Sequence, residues 1–240
     1  MKSLFKTALL SATLFASANG AAMADEATEK YILENANSAL QSLNDSSLTG
    51  AERRAEFKEL MDEFTDIELI AMQVLDHYYR KFSDEEIERF VPVFREYALA
   101  TYEAELDKYR GNDLSVISSQ DQEPNSKTKV DSVVKSVIDL PGNQSDLTVL
   151  WRVVEFQPTS KYHEVFGAGY KVSDVALDLD GGRIWLAQNQ RQQFLSILDR
   201  NGGDMDDLIE KVKAETEKLN KEAEQRRSAA LGNSGNTRAG

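Results

Sequence analysis

The stretch spanning residues 170–212 constrains the fold most, because its hydrophobic period changes from two residues to about 3.6 residues. Side chains alternate in character over residues 170–178, which predicts a β-strand. Asp180-Gly181-Gly182 predicts a turn, and apolar residues follow at helical spacing. Gly202-Gly203 predicts a helix end, because glycine reaches the left-handed conformation without a Cβ clash, and Asp204 predicts the cap of another helix. A strand therefore passes directly into two packed helices.

The chain before this stretch predicts helices first and strands second. Four helices are predicted from apolar residues at steps of three and four, over residues 27–43, 51–64, 66–78 and 83–109. Pro92 predicts a kink inside the last of these, or a break between two helices. Four strands are predicted from valine-rich or alternating segments, at residues 114–117, 127–140, 147–156 and 170–178. This order indicates an α+β fold in which helices pack on a small, mainly antiparallel four-stranded sheet.

The two ends of the chain differ in composition from its middle. Lys2 and Lys6 precede a short apolar run, and Ala22-Met23-Ala24 follows it as a cleavage site. This pattern predicts a cleaved signal peptide over residues 1–24, although a buried N-terminal helix is the alternative. Because no lipid-attachment cysteine follows the signal, we expect a mature protein without a lipid anchor. Residues 25–225 are then one domain, and the polar, glycine-containing residues 226–240 predict a disordered tail.

Charge and cysteine content exclude several classes of function. The formal net charge is -13, and removal of the two signal-peptide lysines makes it more negative. Such a surface repels nucleic acid and anionic headgroups, so no nucleic-acid partner is expected, whereas a basic protein partner remains possible. The chain has no cysteine, which excludes disulfides, thiol catalysis and thiolate metal sites.

No motif in the sequence predicts catalysis or a cofactor. His77 and His163 are far apart and too few for a convincing metal site. Residues 178–182 resemble the start of a calcium loop but lack its later oxygen ligands, so a plain turn is favoured. Asn201-Gly202-Gly203 lacks the spacing and the lysine of a phosphate loop, and no Gly-x-Ser-x-Gly is present. We therefore expect no enzyme activity, no cofactor and no metal.

Two blocks of sequence resemble a known family. "YKVSDV", "QRQQFLSIL" and "NGGDMDDLIEKV" form one block, and "VLDHYYRKFSDEEIERFVPVFREYALATYEAEL", which begins at Val74, forms the other. Both resemble the MlaC-type, or toluene-tolerance, family of periplasmic phospholipid-binding proteins, and the resemblance covers about residues 27–219. The turn at residues 179–183 is longer than the family's usual turn, and residues 157–168 look like an insertion.

The resemblance implies a lipid-binding site and two large partners. In such proteins a curved sheet and its helices enclose an apolar cavity, which holds phospholipid acyl tails while the headgroup stays outside. The implied partners are an inner-membrane ABC transporter complex and an outer-membrane lipoprotein–porin complex, between which the protein shuttles lipid to maintain outer-membrane asymmetry. The residues that we expect to line or back the cavity are Val74, Tyr78, Phe94, Tyr97, Tyr102, Val134, Trp151, Val153, Tyr170, Val172, Val175 and Phe194.

Composition alone leaves alternatives open. The same apolar residues could form an ordinary core, and a chaperone that binds apolar polypeptide or an enzyme on a similar scaffold would also need them. We expect lipid recognition mainly through the tails, because the acidic sequence shows no basic cluster, although Arg152 or Lys171 near the rim could bias headgroup choice. The alternation places Asp174 on the inward face, where it needs a buried donor, and Arg95 is the candidate.

Overall fold

The computed structural model describes residues 19–45, 47–106, 112–123, 125–139, 146–179 and 182–236. Its helices are α1 (Asn19–Asn44), α2 (Gly50–Phe64), α3 (Ile67–Leu75), α4 (Asp84–Leu106), α5 (Lys161–Phe166), α6 (Leu186–Asn201) and α7 (Met205–Asn236), with a 3-10 turn at Asp76–Arg80. Its strands are β1 (Leu114–Asp121), β2 (Thr128–Ile138), β3 (Leu147–Phe156), β4 (Lys171–Leu179) and β5 (Gly182–Trp185). The α+β class is confirmed.

The sheet is an antiparallel meander in the order β1-β2-β3-β4-β5. It has five strands, so the prediction of four is wrong. The additional strand β5 pairs with the end of β4, with Ile184 opposite Leu177. Strand β5 has only four residues, and alternation over so short a segment cannot tell a strand from a turn. Its extended conformation depends on backbone pairing with β4.

Hydrogen bonds and backbone angles define the start of α4, the end of α6 and the start of α7. Ser83 and Glu86 bond reciprocally at the start of α4, as in a capping box, and this helix continues through Pro92 without a break. Gly202 ends α6 with a φ of 77°, and the Asp204 carboxylate accepts from the backbone N–H of Asp207 at 3.0 Å. No described helix combines the length and apolar character needed to cross a membrane.

The terminal helices overlap the segments for which the sequence predicts a signal peptide and a tail. Helix α1 begins at Asn19, inside the predicted signal peptide, and residues 1–18 lie outside the described residues. Helix α7 continues to Asn236, into the predicted tail. The division of the chain into signal, domain and tail therefore stays a prediction.

Strand β3 is apolar on both faces because both faces are covered. Leu147, Val149, Trp151 and Val153 contribute to the main core between the sheet and the helices. On the other side, Val154 and Phe156 form a second, smaller cluster with Leu69 of α3. Helix α5, within the insertion-like segment, adds Tyr162 and Phe166, whose rings lie 5.5 and 5.8 Å from that of Phe156.

A β-bulge in β4 reverses the alternation that the sequence suggests. Val175 lies opposite Trp151 and Asp174 lies opposite Arg152, but Val172 lies opposite Val153, so β4 contains one extra residue at Ser173. Val172 and Val175 consequently share the inner face. Asp174 shares the outer face with Arg152, so the prediction that Asp174 points inward with Tyr170 and Val172 is wrong.

Candidate functional site: an apolar cavity between sheet and helices

A small apolar cavity lies between the inner face of the sheet and the helices that cover it. Its volume is about 40 Å³. Helices α1 and α2 form one wall, strands β1 to β4 form the opposite wall, and α4 and α6 each contribute one residue. The lining residues are Ala36, Ala39, Leu40, Met61, Phe64, Tyr102, Leu114, Ile138, Val149, Trp151, Val175, Leu177 and Leu186.

No side chain in this lining carries a charge at neutral pH. The Trp151 indole N–H donates to the Ser136 hydroxyl at 2.8 Å, so its polar atom is already paired. Burial raises the pKa of the Tyr102 phenol, so this group stays neutral. The cavity can therefore hold a neutral apolar group, and it offers no acid, base or nucleophile for chemistry at that group.

The volume of the cavity is too small for a lipid tail. Pockets for small ligands measure about 300–1,000 Å³, and about 10–15 Å³ suffices for one water. At about 40 Å³, the cavity could hold only a few waters or methylene groups. An acyl chain could enter only if the two walls moved apart.

Three of the predicted site residues line the cavity. Tyr102, Trp151 and Val175 do so, from α4, β3 and β4. Four valines are fully buried in the surrounding core without being part of the lining, and they are Val74, Val134, Val153 and Val172.

The other five predicted residues are aromatic and are not part of the lining. The rings of Phe94 and Tyr97 in α4 pack against the ring of Phe194 in α6, and the three ring centroids lie 5.7–6.4 Å apart. Tyr78 packs on Phe82 and donates its hydroxyl to Asp199 at 2.9 Å. Tyr170 contacts Tyr31, with ring centroids 5.6 Å apart.

Sequence reasoning missed the contribution of the first two helices to the cavity. Ala36, Ala39 and Leu40 of α1, and Met61 and Phe64 of α2, form the wall opposite the sheet. Their helical periodicity already indicated a buried face, but periodicity alone cannot distinguish a cavity wall from an ordinary core.

The structure contradicts the expectation of no basic cluster. Arg80, Arg152, Lys161 and Arg191 line an open groove of about 670 Å³, together with Asp76 and Asp174. These cations come from four separate elements, so their proximity is invisible in the sequence. Two of them are paired, since Arg191 donates to Asp76 at 2.7 Å and Arg152 donates twice to Asp131, at 3.0 and 2.8 Å.

The groove and the cavity lie on opposite sides of the same strands. Trp151 and Val175 line the cavity, and their chain neighbours Arg152 and Asp174 line the groove. This arrangement follows from the alternation of side chains along a strand. The Arg152 side chain therefore points away from the cavity, and because the lining itself carries no charged side chain, recognition inside the cavity rests on apolar contact.

Asp174 and Arg95 do not form the predicted pair. The Asp174 carboxylate accepts from the backbone N–H groups of Val175 and Ala187, at 2.8 and 2.9 Å. Arg95 instead lies 2.8 Å from Asp62 of α2, in ion-pair rather than hydrogen-bond geometry. The pairing fails because the bulge turns Asp174 to the outer face, toward the first turn of α6.

The fold and the cavity define an α+β protein in which helices pack on an antiparallel sheet and enclose an apolar space against its inner face. The family model described as "MlaC protein" matches residues 33–214, and the chain belongs to that family. The predicted resemblance is thereby confirmed.

A solved structure shares the fold. It is the phospholipid-binding protein from Ralstonia solanacearum, in complex with a phospholipid. The TM-score is 0.60 at 16% sequence identity, and the alignment covers 80% of this chain and 97% of that chain. No curated protein sequence matches.

Proposed function

We propose that this protein is a phospholipid carrier that holds acyl tails between the sheet and helices α1 and α2. The apolar cavity with its uncharged lining is the observation that carries the proposal. Membership of the MlaC family and the fold shared with a phospholipid-bound structure support it. The headgroup remains outside, because a charged phosphate would be costly to bury against this lining.

The energetics of acyl chains require deep burial. Each exposed methylene costs about 0.8 kcal/mol, so a tail of about fourteen methylenes costs about 11 kcal/mol in water. A two-tailed lipid therefore travels only with both tails covered. Because a bilayer buries the tails equally well, transfer between bilayer and protein can be nearly neutral, and the carrier needs neither covalent chemistry nor fuel.

The cellular setting that fits this carrier is the periplasm. The signal-like N-terminus and the family support a route between the inner and outer membranes that maintains outer-membrane lipid asymmetry. In this proposal an inner-membrane ABC transporter complex and an outer-membrane lipoprotein–porin complex are the partners, and they supply direction. Lipid-loaded protein mixed with each isolated complex tests this step, since delivery to or from each complex should require direct binding.

Lipid analysis of the purified protein tests the carrier function. The mature chain, isolated from its native host without added lipid, should carry about one diacyl phospholipid, as seen by native mass spectrometry. Extracted lipids should mirror the headgroup composition of the host envelope, since the cavity recognises tails. Bound apolar peptides without lipid would favour the chaperone instead. Recovery of hydrolysed or otherwise altered lipid after incubation would favour an enzyme.

A further inference from the structure

A second open groove adjoins the one that contains the four basic side chains. It measures about 480 Å³, and Met72, Gln73, Arg152 and Tyr162 line both grooves, so the two form one continuous channel, called here the outer groove. The described linings of the outer groove and of the apolar cavity have no residue in common. The outer groove is therefore a separate feature of the surface.

Helix α5 forms one side of the outer groove. It supplies Lys161 and Tyr162 to the lining, and the Ser160 hydroxyl caps it by accepting from the Tyr162 N–H at 3.2 Å. The Tyr162 ring stacks on that of Phe156 in β3, and the ammonium groups of Lys127 and Lys161 lie 5.6 and 5.3 Å from its centre. Because α5 lies in the insertion-like segment, the groove depends on residues that depart from the family's pattern.

The charge of the outer groove is opposite in sign to that of the whole chain. Five basic and three acidic side chains line the groove, whereas the formal net charge of the chain is -13. Two of the arginines are paired with aspartates. Arg80, Lys127 and Lys161 have no ion-pair partner within the described part of the chain. Three cations are therefore available to a ligand that carries carboxylates.

The uncharged lining of the outer groove fits a peptide. Val154 and Phe156 of β3 and Leu69 of α3 supply an apolar floor, and Gln73 and Asn125 supply amide groups that can bond to a peptide backbone. A single small anion would occupy only a small part of a groove of this size. The acidic surface around the groove repels nucleic acid.

We propose that the outer groove binds an acidic segment of a partner protein that also carries apolar side chains. Carboxylates of the segment meet Arg80, Lys127 and Lys161, and its apolar side chains cover the floor beside Tyr162. The charge contrast between the groove and the rest of the surface orients the partner as it approaches. This binding is independent of lipid carriage, because the groove and the cavity have separate linings.

Fluorescence anisotropy with labelled synthetic peptides tests the proposal on the purified protein. The probe is a short peptide of alternating leucine and glutamate. Its controls alternate leucine with lysine, which reverses the charge, and serine with glutamate, which removes the apolar side chains. We expect the leucine–glutamate peptide to bind more tightly than either control, and we expect its affinity to fall as salt is added.

Charge reversal in the groove should weaken the binding of the leucine–glutamate peptide. Arg80→Glu combined with Lys161→Glu replaces two attractive charges by repulsive ones, and the affinity should fall by about ten-fold or more. The matched control is Arg200→Glu combined with Lys221→Glu, which changes the net charge equally at residues outside the groove lining. This control should bind the peptide as the parent protein does, and circular dichroism checks that both variants fold.

Several results would overturn the proposal. Absence of peptide binding, or an equal loss of affinity in both double variants, would contradict a specific site in the groove. Equally tight binding of either control peptide would contradict recognition of acidic and apolar side chains together. Binding of phosphatidylglycerol vesicles in place of the peptide, lost on reversal of Arg80 and Lys161, would make the groove a membrane contact instead.

A photo-cross-link locates the bound peptide, since the chain has no native cysteine. Gln73→Cys places benzophenone-maleimide inside the groove, and irradiation should link it to the leucine–glutamate peptide. Lys135→Cys, on β2 but outside the groove lining, is the control and should give no link. Linking at residue 135 without linking at residue 73 would place the peptide elsewhere. Purified protein without phospholipid that still binds the peptide would remove the carrier function and leave this proposal intact.

Discussion

The Asp174 carboxylate of β4 accepts a hydrogen bond of 2.9 Å from the backbone N–H of Ala187 in the first turn of α6. Trp185, at the N-cap of that helix, makes no side-chain cap bond. Asp174 therefore caps α6 from a neighbouring strand, and its charge is favourable beside the helix N-terminus. Burial nevertheless raises the pKa of Asp174 from 3.8 to about 6, against the lowering effect of these N–H groups and of Arg152.

This pKa predicts a pH-dependent contribution to stability. Between about pH 4 and pH 6 the folded state holds a proton on Asp174 that the unfolded state has lost, so the free energy of unfolding falls as pH rises through this window. The contribution is at most about 3 kcal/mol and levels off above the folded pKa. Asp174→Asn keeps an oxygen acceptor but cannot titrate. We expect the free energy of unfolding of the parent minus that of the variant to decrease as pH rises, when both are measured in urea at pH 4, 5, 6 and 7. A difference that stays constant would mean that Asp174 titrates near its ordinary value.

Double-mutant cycles should assign the partner of Arg95. The cycle of Arg95→Ala with Asp62→Ala should give a coupling energy of about 0.5 kcal/mol, because both side chains are about one-third exposed. The cycle of Arg95→Ala with Asp174→Ala should give a coupling energy near zero, because Asp174 faces α6. Substantial coupling in the second cycle would restore the pairing that the sequence suggested.

Val175→Glu should abolish lipid binding. The Val175 side chain is buried and lines the cavity, where a carboxylate among acyl chains is costly. Bound phospholipid per chain should fall at least about ten-fold, while circular dichroism reports whether the fold is retained. Ile117→Glu is the matched control, since Ile117 is also an apolar strand residue but is 57% exposed. A folded Val175→Glu protein with a normal lipid content would place this residue outside the site.

Two neighbouring glycines should differ in their tolerance of alanine. Gly202 and Gly203 have φ angles of 77° and 86°, which are unfavourable for any residue with a Cβ atom. A Cβ at Gly203 would lie 3.0 Å from the Tyr78 ring, whereas one at Gly202 would meet no atom within 4 Å. Gly202→Ala should cost about 1 kcal/mol of unfolding free energy from backbone strain, and Gly203→Ala should cost about 1 kcal/mol more. Urea unfolding of both variants measures the difference, and equal costs would show that Tyr78 moves aside freely.

The sequence predicted features that depend on contiguous residues. The order of helices and strands, the cap at Asp204 and the helix end at Gly202 follow from spacing and from residue type within one or two turns. Two sequence blocks were sufficient to recognise the family.

Tertiary structure decided which residues meet in space. One extra residue at Ser173 reverses the side-chain alternation of β4 and turns Asp174 from the core toward α6, and no local pattern marks that insertion. The wall formed by Ala36 and Ala39 and the cluster of four basic side chains in the groove likewise depend on elements distant in the chain. The periodicity of apolar residues indicates which residues share one face of a single helix or strand. A cavity, a groove or an ion pair depends instead on strand register and on packing between elements.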